Sequence, residues 1–135
     1  MNRPHRIETA MVHRVRRILT AYRPRPVAVV PTHGDYQPRN WLMDEGTVRV
    51  IDFGRFAWRP VHTDWCRLAA QQWQGRPDLE EAFIAGYGSA PEPELWRIEM
   101  VRQAVSTSVW AYQEGLAAFE AQGHRVLARA LDAYS

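Results

Sequence analysis

Apolar positions near the start of the chain recur at the spacing of an amphipathic helix. Between residues 5 and 22 they lie three or four positions apart, with arginines on the opposite face: Ile7, Met11, Val15, Ile18, Leu19 and Tyr22. The helix is expected to end at the Arg-Pro-Arg-Pro sequence of residues 23–26, because proline lacks an amide donor and restricts its predecessor. Residues 27–31, which contain three β-branched valines and end in proline, then predict a short strand.

Two short apolar stretches, residues 41–43 and 47–52, flank the turn sequence Asp44-Glu45-Gly46. An acidic turn that ends in glycine, which tolerates a positive φ, is typical of a β-hairpin. Because a hairpin folds back on itself, we expect the polar residues on either side of it to meet.

The remaining periodicity is helical. Residues 53–63 are expected to be irregular, with Thr63 as the cap of a helix from Asp64 to Trp73. A second helix is predicted over residues 78–87, and a long one from about Glu94 with a break near Gly123.

This pattern predicts a mainly α fold with a small β-hairpin. The expected organisation is a single domain over residues 1–135: a leading helix and connection (1–30), a loop region with the hairpin (31–60) and a helical subdomain (61–135). The tryptophans of the helical segments are expected in the core, His62 and His124 at the surface or at helix ends, and Glu92, Glu94, Glu114 and Glu120 on a solvated face.

Composition narrows the classes of function. The net charge is only +2 and the basic residues are scattered, which argues against a nucleic-acid partner. The lone Cys66 excludes an internal disulfide framework and a multi-thiolate metal site, and no signal pattern is seen at the N-terminus, so a cytoplasmic location is expected. No apolar run approaches the roughly 20 residues that span a bilayer, so no membrane partner is expected.

The candidate chemistry lies beside the hairpin, in Thr-His-Gly-Asp-Tyr-Gln-Pro-Arg-Asn (32–40) before it and Ile-Asp-Phe-Gly (51–54) after it. Asp35, Asn40 and Asp52 together form an all-oxygen set, which suits Mg²⁺ and not zinc. Phosphoryl transfer needs a group that accepts the proton of the attacking hydroxyl and a metal that neutralises phosphate charge. These residues would supply both.

These two loops resemble the catalytic and metal-binding loops of the aminoglycoside phosphotransferase family, which has the protein-kinase-like fold. The spacing is similar to the kinase pattern H-x-D-x-x-x-x-N followed by D-F-G, and Asp64 resembles the aspartate that follows the metal loop in the family. The resemblance is close over about residues 31–73 and looser in the flanking helices.

The resemblance implies a role for each matching residue. Asp35 would be the catalytic base, supported by His33, and Asn40 and Asp52 would bind Mg²⁺ and, through it, the ATP co-substrate. Asp64 would hold the backbone of the catalytic loop, and Gly34 and Gly54 would allow unusual backbone angles or close approach. Family members often have His-Pro-Gly at positions 37–39, so Arg39 contacts phosphate or substrate, or is simply solvated.

The other half of a kinase-like site is missing from this chain. No G-x-G-x-x-G sequence is present, and all 17 basic residues are arginine, so no strand lysine can bind phosphate. The chain therefore resembles a C-terminal lobe alone. It is expected to be a fragment of a longer phosphotransferase, with negligible activity by itself; a non-catalytic binding module and a half-enzyme completed by another polypeptide are the alternatives.

The expected partner is a hydroxylated small molecule that accepts the γ-phosphoryl group of ATP. The surface that a nucleotide lobe would cover is expected to be apolar, which favours self-association.

Overall fold

The computed structural model of the protein describes residues 3–135. The described part is mainly helical with small antiparallel sheets, as the periodicity predicts. Its helices are α1 (Thr9–Ala21), α2 (Trp65–Ala70), α3 (Pro77–Tyr87), α4 (Pro93–Gln113) and α5 (Ala117–Asp132); its strands are β1 (Val29–Thr32), β2 (Trp41–Asp44), β3 (Thr47–Val50) and β4 (Ala57–Pro60). The chain forms two compact units, one of residues 3–24 and 92–135 and the other of residues 25–91.

The first unit is built from α1, α4 and α5. The apolar stripe of α1 packs against α4 and α5, and the shared core contains the fully buried Val15, Ile98, Val101 and Leu127. At the start of α4 the Glu92 carboxylate accepts hydrogen bonds from the amides of Glu94 and Leu95, which satisfies donors that lack an intrahelical partner.

The predicted break near Gly123 is wrong. The helices separate at Gly115, which has a φ of 70°, and Gly123 lies inside α5. A Cβ at position 123 would stand 2.5 Å from Ser108 Oγ and 2.9 Å from Ser108 N on α4. The glycine therefore serves close helix packing, which local pattern does not distinguish from a helix stop.

In the second unit the predicted hairpin is confirmed. Strands β2 and β3 pair antiparallel with Trp41 opposite Val50 and Asp44 opposite Thr47. The turn residues Glu45 and Gly46 both have positive φ, at 47° and 80°, as a type I′ hairpin turn requires.

Two local predictions around residues 53–63 are wrong. Residues 57–60 form β4, which pairs antiparallel with β1 from Val29↔Pro60 to Thr32↔Ala57. The pairing is long-range, and the proline of β4 at its edge conceals the strand in the sequence. Thr63 lies in a 3₁₀ turn (Val61–Asp64), and α2 begins at Trp65 with no side-chain cap.

Aromatic packing joins α2 and α3. Phe83 contacts Trp65 and Trp73, with ring centroids 5.4 and 5.3 Å apart, and both tryptophans are buried as expected. In the first unit the expectation is wrong for Trp110, which is 48% exposed.

No helix within residues 3–135 has the length and apolar character to cross a bilayer.

Candidate active site

The loop after β1 is held by the carboxylate of Asp64. Its Oδ2 accepts a hydrogen bond from His33 N at 2.8 Å, and its Oδ1 accepts one from Gly34 N at 2.9 Å. Two amides that no strand satisfies are thus bound by one charged acceptor, an arrangement stronger than a neutral hydrogen bond.

The His33 ring makes two hydrogen bonds that define its tautomer. Its Nδ1 accepts from Asp35 N at 3.1 Å, so the proton lies on Nε2, which donates to the carbonyl oxygen of Ile51 at 2.8 Å. The ring also packs against Phe53, with centroids 4.8 Å apart. His33 therefore joins the loops that precede and follow the hairpin.

The Asp35 carboxylate is buried and receives four hydrogen-bond donors. Oδ1 accepts from Gln37 Nε2 at 2.7 Å and Arg67 Nη1 at 2.6 Å; Oδ2 accepts from Arg39 Nη2 at 2.8 Å and Asn40 Nδ2 at 3.2 Å. Burial raises the pKa of Asp35, but the hydrogen bonds from Arg39 and Asn40 and the charge of Arg67 outweigh it, so the pKa lies below its usual value. Asp35 is a carboxylate at neutral pH.

Sequence reasoning missed Arg67 and Gln37 as partners of Asp35. Arg67 is three residues after Asp64, so both project from one side of the start of α2. Asp64 binds the loop backbone and Arg67 binds the loop carboxylate. The three-residue spacing from Asp64, together with the resemblance at Asp64, was the sequence signal that could have indicated Arg67 as a partner of the loop.

The hairpin brings Asn40 and the loop of Asp52 together. Ile51 N donates to Asn40 O at 2.9 Å, one position beyond the Trp41↔Val50 pair at the open end of the hairpin. Asp52 follows in the left-handed region with a φ of 63°, a conformation that aspartate tolerates better than most residues and that is enriched at functional sites. Its negative charge acts on Arg39, raising the pKa of that guanidinium after the larger effects of Asp35.

These residues fit a magnesium ion by the chemistry of their donors. Asn40 Nδ2 donates to Asp35 O at 2.8 Å, so the amide is oriented and its Oδ1 is left as a ligand atom. Asp52 is exposed and offers a carboxylate. Mg²⁺ is commonly bound by one or two carboxylates together with substrate phosphates and water, so a small protein set suffices. Within residues 3–135 no group of three or more histidine, cysteine, aspartate or glutamate side chains is placed to hold a metal.

The comparison with protein families agrees with this geometry. Residues 3–99 match the profile of the Phosphotransferase enzyme family, which covers both loops, the hairpin and α2. The chain belongs to this family. Searches against curated proteins and against solved structures returned no match.

In this phosphotransferase-family chain, the two site glycines differ. Gly34 has a φ of 85°, and a Cβ there would lie 2.9 Å from the Cβ of Arg55 and closer still to its carbonyl oxygen. Gly54 has no positive φ, and an added Cβ would meet Asp52 Oδ1 at 3.5 Å, an ordinary contact. Of these two positions, only 34 shows a steric need for glycine.

Two residues outside the loops are more buried than a surface position would be. His62 is 2% exposed, so it is not at the surface, and it lies in the 3₁₀ turn (Val61–Asp64) directly before α2, which is the expected helix-end position. Glu120 is 5% exposed and forms an ion pair with Arg6, so it is not part of a solvated face. Pairing with a charged partner allows such burial, and the partner is distant in sequence.

Proposed function

We propose that this chain is the catalytic part of an ATP-dependent phosphotransferase of the aminoglycoside phosphotransferase type, with the C-terminal lobe of a protein-kinase-like fold. The proposal is supported most directly by the hairpin, whose base brings Asn40 and the loop of Asp52 together beside the buried Asp35. A cytoplasmic location belongs to the same proposal.

Each residue has a defined task in this proposal. Asp35, ionised and bound by four donors, orients the acceptor hydroxyl and accepts its proton as the hydroxyl oxygen attacks the γ-phosphorus. The bond between the γ-phosphorus and the bridging oxygen breaks, and ADP leaves with that oxygen. Asn40 and Asp52 would hold Mg²⁺, which when bound would supply the positive charge that neutralises the nucleotide phosphates. His33 and Asp64 position Asp35 by holding the loop backbone.

The two ion pairs of the Asp35 carboxylate favour a second candidate. This candidate is a kinase-like binding module, or a half-enzyme that needs a partner lobe. Two guanidinium groups on one carboxylate lower its basicity, and the sequence has no lysine and no glycine-rich loop. All of these candidates bind the metal. A binding module transfers no phosphate even when a nucleotide lobe is supplied, whereas a half-enzyme becomes active with that lobe.

Binding of Mn²⁺ as a paramagnetic substitute for Mg²⁺ tests the metal site directly in the isolated chain. We expect Mn²⁺ to broaden the amide resonances near Asn40 and Asp52, and Asp52→Asn to weaken this binding at least tenfold. Asp44→Asn, at the far end of the hairpin, is the control and should change nothing. Equal effects of both substitutions would refute the site.

Turnover provides the second test. The chain alone should show negligible transfer from Mg-ATP to hydroxylated compounds, because half of the phosphate-binding groups are absent. In a protein that includes a nucleotide lobe, Asp35→Asn should lower kcat and leave nucleotide affinity nearly unchanged, whereas Asp52→Asn should mainly weaken nucleotide binding. Identical kinetic effects would remove the distinction between base and metal ligand.

A further inference from the structure

Two arginines contact the Asp35 carboxylate, and two more lie beside the same loop. Arg39 and Arg67 both donate to its carboxylate, and Arg59 donates to Thr32 Oγ1 and to the carbonyl oxygen of Arg55. Burial lowers the pKa of Arg67, and the positive charges of Arg39 and Arg55 lower it further, against the opposing effect of Asp35. Like charges therefore lie close together on this side of the loop.

The single negative charge of Asp35 does not neutralise the positive charges of these arginines. The side chain of Arg67 is 31% exposed and compensates the buried carboxylate, whereas that of Arg39 is 68% exposed. Arg39 donates one hydrogen bond, from Nη2 to Asp35 Oδ2, out of the five that a guanidinium has. It thus presents an exposed cation with unused donors beside the proposed base.

Two other carboxylates lie beside the loop, and each has its own task. Asp64 accepts from the loop amides, and Asp52 is a metal ligand in the proposed function. An acceptor that carried ammonium groups would therefore meet guanidinium groups here, and neither of these two carboxylates would be spare. A negatively charged acceptor would meet complementary charge.

We propose that the phosphoryl acceptor is an anionic hydroxyl compound whose carboxylate or phosphate group binds Arg39 while its hydroxyl lies at Asp35. The inference rests on the proposed function and names the substrate class of the same site. Guanidinium offers paired donors that match a carboxylate or phosphate edge. Arg67 acts as a positioning residue, because it keeps Asp35 paired when Arg39 turns to the substrate. A polycationic aminoglycoside is disfavoured by the same charges.

A set of sugars that differ in charge tests this class with the isolated chain. Glucuronate, glucose and glucosamine share one pyranose ring and carry a negative, zero and positive charge; glucose 6-phosphate replaces the carboxylate by phosphate. Binding is followed by the side-chain Nε–Hε resonance of Arg39 in ¹⁵N-labelled protein. We expect the anions to bind about tenfold more tightly than glucosamine, and the comparison of glucuronate with glucose 6-phosphate to show which anion is preferred.

Substitutions link the preference to Arg39. Arg39→Gln should abolish the difference between glucuronate and glucosamine, and Arg39→Lys, which keeps the charge but not the paired donors, should retain part of it. Arg49→Gln removes an exposed arginine paired with Asp44 on the hairpin and should leave the preference intact. Circular dichroism at 222 nm checks that each variant is folded.

Two results would overturn the inference: an Arg39 resonance that does not respond to either anion, or tighter binding of glucosamine. The Mn²⁺ experiment separates this failure from failure of the proposed function. Anion preference without metal binding would remove the phosphotransferase assignment and leave only an anion-binding site at Arg39. Metal binding with a preference for glucosamine would remove the anionic acceptor and leave the phosphotransferase assignment in place.

Discussion

At the scale of single residues, the site depends on one backbone position that tolerates no side chain. Gly34 combines a φ of 85° with close contact to Arg55, and Gly46 has a similar φ of 80° with no atom within 4 Å of an added Cβ. The two glycines therefore separate the cost of a left-handed backbone from the cost of a steric clash.

We expect Gly46→Ala to lower the free energy of unfolding by about 1 kcal/mol, the usual cost of a left-handed alanine. Gly34→Ala should cost at least about 2 kcal/mol more, because the loop must move away from Arg55. Urea unfolding followed by tryptophan fluorescence measures both. Equal destabilisation of the two variants would show that the loop adapts without strain.

Asp35 should make stability depend on pH. Its pKa in the folded chain lies below the unfolded value of about 3.9, so its ion pairs stabilise the fold above that pH. The contribution is lost as the pH falls through the folded pKa. We expect Asp35→Asn to lower the free energy of unfolding by about 1–3 kcal/mol at pH 7, and the difference from the unmodified chain to shrink below about pH 4.

The exposed pair of Arg76 and Asp78 provides the control for that measurement. Both side chains are more than half exposed, so Asp78→Asn should have a much smaller effect at pH 7. A difference for Asp35→Asn that stayed constant from pH 7 to pH 2 would mean that its ion pairs contribute nothing to stability.

At the scale of elements, the contact between α4 and α5 requires a small residue at position 123. Gly86 lies inside α3 with no atom within 4 Å of an added Cβ, so it is the matched helical glycine. Gly86→Ala should stabilise the chain by about 0.5–1 kcal/mol through helix propensity. Gly123→Ala should instead destabilise it by about 1–3 kcal/mol, because the new methyl group meets Ser108.

Thermal unfolding of these two helix variants should therefore shift in opposite directions. A rise in Tm for both would show that α4 and α5 separate easily at Ser108. Ser108→Gly combined with Gly123→Ala should recover part of the loss, since it removes the nearest atom.

At the scale of the whole chain, the second unit carries many exposed apolar side chains. Those more than 40% exposed within residues 25–91 include Val27, Val29, Leu42, Met43, Val48, Ile51, Phe53, Phe56, Trp58 and Tyr87. Apolar surface of this extent favours association, so we expect the chain to self-associate as its concentration rises.

Light scattering across a concentration series measures this association. Replacing Met43 and Trp58, which are 71% and 63% exposed, by serine should raise the concentration of half-association at least tenfold. Leu19→Ser, on α1, is the control and should change it little. A monomer at every concentration up to 1 mM would contradict the expectation.

The sequence by itself determined the local features: the amphipathic α1, the hairpin with its Glu45-Gly46 turn, α3 up to Gly88, and the identity of the residues in both loops. These depend on neighbours three or four positions apart or on turn chemistry, which local pattern records. Only the tertiary structure decided what distant residues do: β4 pairs with β1, Gly123 packs against Ser108, Glu120 pairs with Arg6, and Arg67 reaches Asp35. Such contacts join positions far apart in the chain, where hydrophobic spacing carries no information about which partner will be met.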